Sequence, residues 1–130
     1  MDRGRGHYLG TEIDEKWWRR CTEDGLLARG NGEYWYDDEA FYFLRDLTDD
    51  PIIIPFHKMR DVKVGAWHAG RWAWGRPIIK MLWVNRGQSL SSGFILAYQR
   101  PHTLRVLDEM KARVPASVSG SGAQRLAPAF

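Results

Sequence analysis

Aromatic and β-branched residues gather in short runs along the middle of the chain, bounded by Gly, Pro, Asn and Asp, and this pattern predicts strands. Glu33-Tyr34-Trp35-Tyr36 and Ala40-Phe41-Tyr42-Phe43-Leu44 flank the acidic turn Asp37-Asp38-Glu39, which is a hairpin signal. Pro51-Ile52-Ile53-Ile54-Pro55 reads as a further short strand, with prolines that restrict ladder pairing to an edge or to the strand ends. Two longer arms follow, Asp61–Trp67 and Pro77–Asn85. A third extended run, Leu90–Ala97, comes after the turn Asn85-Arg86-Gly87-Gln88.

The period changes at both ends. Ile13, Trp17 and Cys21 recur every fourth residue, Thr11 stands in a capping position, and acids precede Arg19 and Arg20 in the order a helix dipole favours. A helix over residues 12–22 is expected. Thr103, Val106, Leu107, Met110 and Val114 form a second helical stripe over residues 102–114, opened by Pro101 and stopped by Pro115. Residues 1–10 read as a flexible lead. Residues 115–130, with Ser-Gly-Ser-Gly, read as a disordered tail or an extension that a partner orders. One domain over residues 11–114 is expected, with a sheet over about 26–97. Helix, about six strands in hairpin order, then helix is a mainly β (α+β) pattern, and its short connections require an antiparallel meander.

Composition narrows the function classes. A chain of 130 residues suits one domain, and its seven Trp, five Tyr and five Phe shift the core toward aromatics. The net charge of +3 is too small to argue for nucleic acid, which is an unlikely partner. A lone cysteine, Cys21, excludes an internal disulfide and any cysteine zinc cluster, and its helical spacing with Trp17 suggests a buried thiol. No apolar run approaches the ~20 residues that span a bilayer, and the amino terminus has no apolar region behind its charges. A cytoplasmic protein is the expectation, with peripheral attachment at the inner face of a membrane left open.

Catalytic constellations are not evident. Ser89, Ser91 and Ser92 sit in a predicted strand without an elbow-like glycine spacing, and the histidines at 7, 57, 68 and 102 lack metal-ligand spacing. Gly30-Asn31-Gly32 lacks the helix and lysine of a phosphate loop. No catalytic residue, metal site or cofactor is expected. The connection between the two long arms is different. Hairpin loops are usually two to five residues, and this one carries His68, Arg71, Trp72, Trp74 and Arg76, with Lys63 and Lys80 on the arms. Arginine forks bind phosphate, tryptophan favours the bilayer interface, and both serve as hot spots between proteins. The alternative is that Trp72 and Trp74 fold back on the sheet while the arginines snorkel over them. Tyr34 and Tyr36 are secondary candidates for binding. The remaining aromatics, Trp17 among them, are expected in the core or in subunit contacts.

The strand order from Gly30 to Ala97, the Asp37-Asp38 turn before Phe41-Tyr42-Phe43, the step from Ile54-Pro55 to Asp61-Val62 and the closing helix resemble the pleckstrin-homology superfold. The chain is most similar to the small bacterial PH-like and GRAM-like domains. That resemblance implies a bent antiparallel sheet or partly open barrel capped by a C-terminal helix, here with an N-terminal helix added. It also implies binding to lipid headgroups or peptides and no catalysis. In eukaryotic members the basic lipid-binding loop joins the first two strands. With Glu33–Tyr36 as the first strand, that loop is the acidic Asp37-Asp38-Glu39, which argues against headgroup recognition in the usual place. The leading expectation is therefore an interaction or assembly module that binds a protein partner or a second copy of itself. Docking of residues 68–76 on an anionic membrane is the alternative, and a small-ligand or enzymatic role is third.

Overall fold

A computed structural model describes residues 3–115 except Asp24, Trp74 and Tyr98. The expected tail, from residue 116 onward, lies outside the described residues. Among the described residues there are ten strands, a 3-10 turn (Phe56–Lys58) and one α-helix: β1 (Gly4–Ile13), β2 (Lys16–Arg20), β3 (Gly30–Tyr36), β4 (Ala40–Arg45), β5 (Ile52–Pro55), β6 (Met59–Gly65), β7 (Trp67–His68), β8 (Arg71–Trp72), β9 (Ile78–Asn85), β10 (Gln88–Ile95) and α1 (Arg100–Lys111). The main sheet is antiparallel with the order β5-β4-β3-β1-β10-β9-β6, β2 pairs with β1 off this path, and β7–β8 form a separate ribbon.

The two ends of the sheet share one core. Phe41 of β4 and Ile52 and Ile54 of β5 pack in the same cluster as Met59 and Val62 of β6, so the sheet curls round to bring its edges together. Val106, Leu107 and Met110 of α1 close that cluster, as their three- and four-residue spacing predicts. Phe94 sits near the centre, with the rings of Tyr8, Phe41 and Phe43 within 5.3 Å of it.

The N-terminal segment departs from the expected flexible lead and helix. Residues 4–20 form a hairpin, with β1 central in the sheet. Asp14 and Glu15 both adopt left-handed backbone (φ 56°), making the two-residue turn between Ile13 and Lys16. Two non-glycine residues there are strained. The Asp14 amide donates to Ser89 O (2.9 Å), its carboxylate meets Arg19 (3.0 Å), and Glu15 meets Lys63 (2.7 Å), which holds the turn. Ile13 and Cys21 both reach the core from this hairpin while Trp17 faces solvent, so the four-residue spacing was not helical.

A bulge at Gly10 (φ 115°) sets which face each β1 side chain takes. Tyr8 and Thr11, an odd number of residues apart, both point inward. Trp83 Nε1–H donates to Ser92 Oγ (3.0 Å), Ser92 and Thr11 hydroxyls are 2.6 Å apart, Thr11 and Tyr8 hydroxyls 2.7 Å, and Tyr8 donates to Leu26 O (2.6 Å). With both ends of the chain fixed, each hydroxyl donates once and accepts once, which satisfies every buried member. Leu9 and Glu12 are thereby turned to the outer face of the sheet.

Candidate functional site

The long connection between β6 and β9 folds back over the outer face of β1 and β10. Its ribbon, β7–β8, turns at Ala69-Gly70 (φ 51° and 80°) and brings His68 opposite Arg71 and Trp67 opposite Trp72. His68, expected at an accessible edge of the tip, is instead fully buried. Its ring rests on Gly93, where a Cβ would lie only 2.4 Å from His68 Cδ2. Ala73, Ile78, Leu9 and Ile95 form a second, small core beneath the same ribbon.

Polar contacts fasten this cover. His68 Nε2–H donates to Gly10 O (2.9 Å), and the buried Glu12 carboxylate accepts from the Ala69 amide (2.7 Å). Arg29 donates to Leu9 O (2.7 Å) and to Ala69 O (2.6 Å), tying the bulge, the loop before β3 and the ribbon turn together. His68 Nδ1 lies 3.6 Å from Glu12 Oε1 and has no hydrogen-bond partner, nor has the buried Ser91 hydroxyl. Burial lowers the His68 pKa against the opposing pull of Glu12, which keeps the ring neutral with its proton on Nε2. Ser91, His68 and Glu12 contain the residue types of a hydrolytic triad, but all three are sealed from solvent and form a structural support.

With His68 pointing in, Trp67 and Trp72 must point out, because neighbouring residues of a strand take opposite faces. They are 50% and 51% exposed. Trp17 of β2 lies against the ribbon turn, its ring 3.5 Å from the Cβ position of Gly70, and meets Trp18 edge-to-face at 5.8 Å. Trp17 and Trp18 are 55% and 62% exposed. Trp17 thus links the two hairpins that carry the four exposed tryptophans. At up to ~250 Å² per indole, the four together present roughly 500 Å² of aromatic area.

Lys16 stands 6.0 Å over the Trp18 ring, while Arg19 is exposed but paired with Asp14 and Arg71 is exposed opposite His68 on the second ribbon. β2 is exposed along nearly its whole length, on both faces. Arg76 is exposed beyond the ribbon, its amide closing a turn to Ala73 O (3.0 Å), and Trp74 lies outside the described residues. Lys63 is engaged with Glu15, and Lys80 lies against Gly65 and adds to the positive field at His68. Of the expected tip, Arg71, Trp72 and Arg76 are surface residues. Tyr34 and Tyr36 belong elsewhere, beside α1, where Tyr34 is buried and donates to Leu96 O (3.1 Å).

Sequence reasoning placed Trp17 in the core or a subunit contact, left Trp18 unassigned, put Trp67 at the end of a strand and Glu12 in the first turn of a helix, and gave Gly10, Arg29 and Gly93 no part in a site. One signal was present: Lys16-Trp17-Trp18-Arg19-Arg20 puts two indoles on consecutive positions among cations, which no single buried face accommodates. The loop between the first two strands of the main sheet also changes identity. Because β1 precedes β3, that connection is residues 14–29 and not Asp37-Asp38-Glu39; it carries Trp17 and Trp18, with Lys16, Arg19, Arg20 and Arg29 balanced by Asp14, Glu15, Glu23 and Asp24. The connection in that place is thus charge-balanced and aromatic, where the sequence pattern puts an acidic turn.

Among the described residues no helix is long and apolar enough to cross a membrane. No curated protein and no solved structure matches the chain. A family model described as bacterial PH domain-like matches residues 1–109, which includes the β1–β2 hairpin and most of α1. The antiparallel sheet, its curl around one core and the closing helix agree with that match, and PH-like domains are generally non-catalytic. The chain belongs to the bacterial PH domain-like family.

Proposed function

We propose that this protein is a non-catalytic docking module that binds an anionic membrane surface through Trp17, Trp18, Trp67 and Trp72 and the cations beside them. One observation carries the reading: β2, with two tryptophans and three cations in five residues, projects as a ribbon exposed on both faces. A flat protein partner covers one face of such a ribbon. The interfacial layer of a bilayer wets both, and indole is the side chain best suited to that layer. Lys16 and Arg71 add attraction to anionic lipid of about 1 kcal/mol each near the surface, and Arg19, paired with Asp14, adds less.

The test is co-sedimentation with vesicles of phosphatidylcholine containing phosphatidylglycerol, against phosphatidylcholine alone. Binding to the anionic vesicles that weakens with salt and is lost in the Trp17→Ser, Trp18→Ser variant supports the reading. If neither vesicle binds, the proposal fails and the tryptophan face is left to a protein partner.

A further inference from the structure

A groove of about 430 Å³ opens between α1 and the end of β3, and it shares no residue with the tryptophan face. Its floor is Tyr34 and Val106. Tyr34 can lie there because its neighbour across the ladder is Gly4, where a Cβ would come within 2.5 Å of the phenol ring. The volume falls in the range of small-molecule sites.

The walls are strongly one-sided in charge. Arg3, His102, Arg105 and Arg113 line the groove, with Glu109 as its single carboxylate. Glu109 already accepts the Tyr36 hydroxyl. Arg113 is fixed over the Tyr36 ring at 5.2 Å and donates to Glu109 O (2.7 Å) and Asp37 O (3.2 Å). Arg3 is held 4.0 Å above Trp35 and 3.2 Å from Glu33. Arg105 and His102, one helical turn apart, have no partner among the described residues. Two guanidinium groups, oriented by Glu33 and by Asp38 (3.9 Å from Arg113), and two open donors converge on an aromatic floor, and among the described residues no acid pairs with Arg105 or His102.

We propose that this groove binds a small organic oxyanion, a phosphate or carboxylate carried on a planar or apolar body. Its oxygens would meet Arg105 and His102, with Arg3 and Arg113 as flanking charges, because guanidinium forks match both headgroups. Its body would lie on Tyr34 and Val106. The inference stands apart from membrane docking, which uses other residues.

The experiment is a titration of the full chain followed by amide NMR, with phenyl phosphate, benzoate and inorganic phosphate as probes. Phenyl phosphate or benzoate should shift Tyr34, Tyr36, Arg105 and Val106 saturably and at lower concentration than inorganic phosphate. The preferred probe of the two identifies the headgroup, and equal affinity means that either suffices. Arg105→Ala, at an exposed position that leaves the core untouched, should weaken binding about tenfold, the loss of one charge-assisted contact. It should leave vesicle binding unchanged. No saturation, shifts scattered over surface arginines, inorganic phosphate binding as well as the aromatic probes, or an Arg105→Ala variant with full affinity would each overturn the proposal.

Discussion

Gly93→Ala tests how the tryptophan face is held. The added methyl would sit 2.4 Å from Cδ2, 2.6 Å from Cγ and 2.8 Å from Nε2 of His68, all closer than carbon and nitrogen atoms pack. His68 is fully buried and flanked by Gly10 and Glu12, so the ring has no free direction except away from the sheet. Overpacking of this kind costs about 1–3 kcal/mol, and losing the bond to Gly10 O adds about 1 kcal/mol. A destabilisation of about 2–4 kcal/mol should lower the melting temperature by roughly 5–15 °C in a domain of this size. The large core lies on the other face of the sheet and should keep its amide-exchange protection, while the amides of residues 67–73 lose theirs. His68→Ala should relieve the clash, so the double variant should be less destabilised than the two single changes together. A Gly93→Ala protein with an unchanged melting curve, or single changes that simply add, would refute this account of the ribbon.

Glu15→Gly relieves left-handed strain of about 1–2 kcal/mol at the β1–β2 turn but gives up the exposed Lys63 pair, worth up to about 1 kcal/mol. Chemical denaturation should therefore show a small net gain that grows at high salt, where that pair is screened. Ser92→Ala should cost about 1–3 kcal/mol, since it strands the Trp83 N–H and breaks the hydroxyl chain to Tyr8. His68 is depressed below 6.5 in the folded state, so the unfolded chain binds the extra proton; its contribution is complete above that pH and declines as pH falls, seen as a falling melting temperature. Tyr8 is raised from 10.0 to about 12 by burial, so its contribution is complete below pH 10 and declines as pH rises toward that value, which a spectrophotometric phenol titration against unfolding would show.

The sheet from β3 to β10 and the helix α1 were legible because burial on one face writes itself into the residue pattern. Phe41, Phe43, Ile79, Met81 and Met110 are where that pattern puts them. The first twenty residues were not legible in the same way. Ile13, Trp17 and Cys21 sit at helical spacing by coincidence, and the type of turn that joins β1 to β2 normally carries Asn-Gly, not Asp14-Glu15. Tertiary contacts from Ser89, Arg19 and Lys63 stabilise what local sequence does not favour. The site was half legible. An oversized connection marked Trp72, Arg71 and Arg76, which are surface residues, but which side of the ribbon meets the sheet depends on Gly93 and Glu12, distant in sequence. The Gly10 bulge inverts the alternation of β1, so a period-two reading assigns Glu12 to the wrong face.

The most direct measurement is vesicle co-sedimentation of the natural chain beside a variant with Trp17, Trp18, Trp67 and Trp72 all changed to serine. These half-exposed positions leave both cores intact, so the variant should fold with an unchanged far-ultraviolet spectrum. The account predicts that the natural chain sediments with vesicles containing phosphatidylglycerol, less so at high salt, and that the folded variant stays in the supernatant. A folded variant that sediments as fully as the natural chain, or a natural chain that ignores anionic vesicles at low salt, would contradict it.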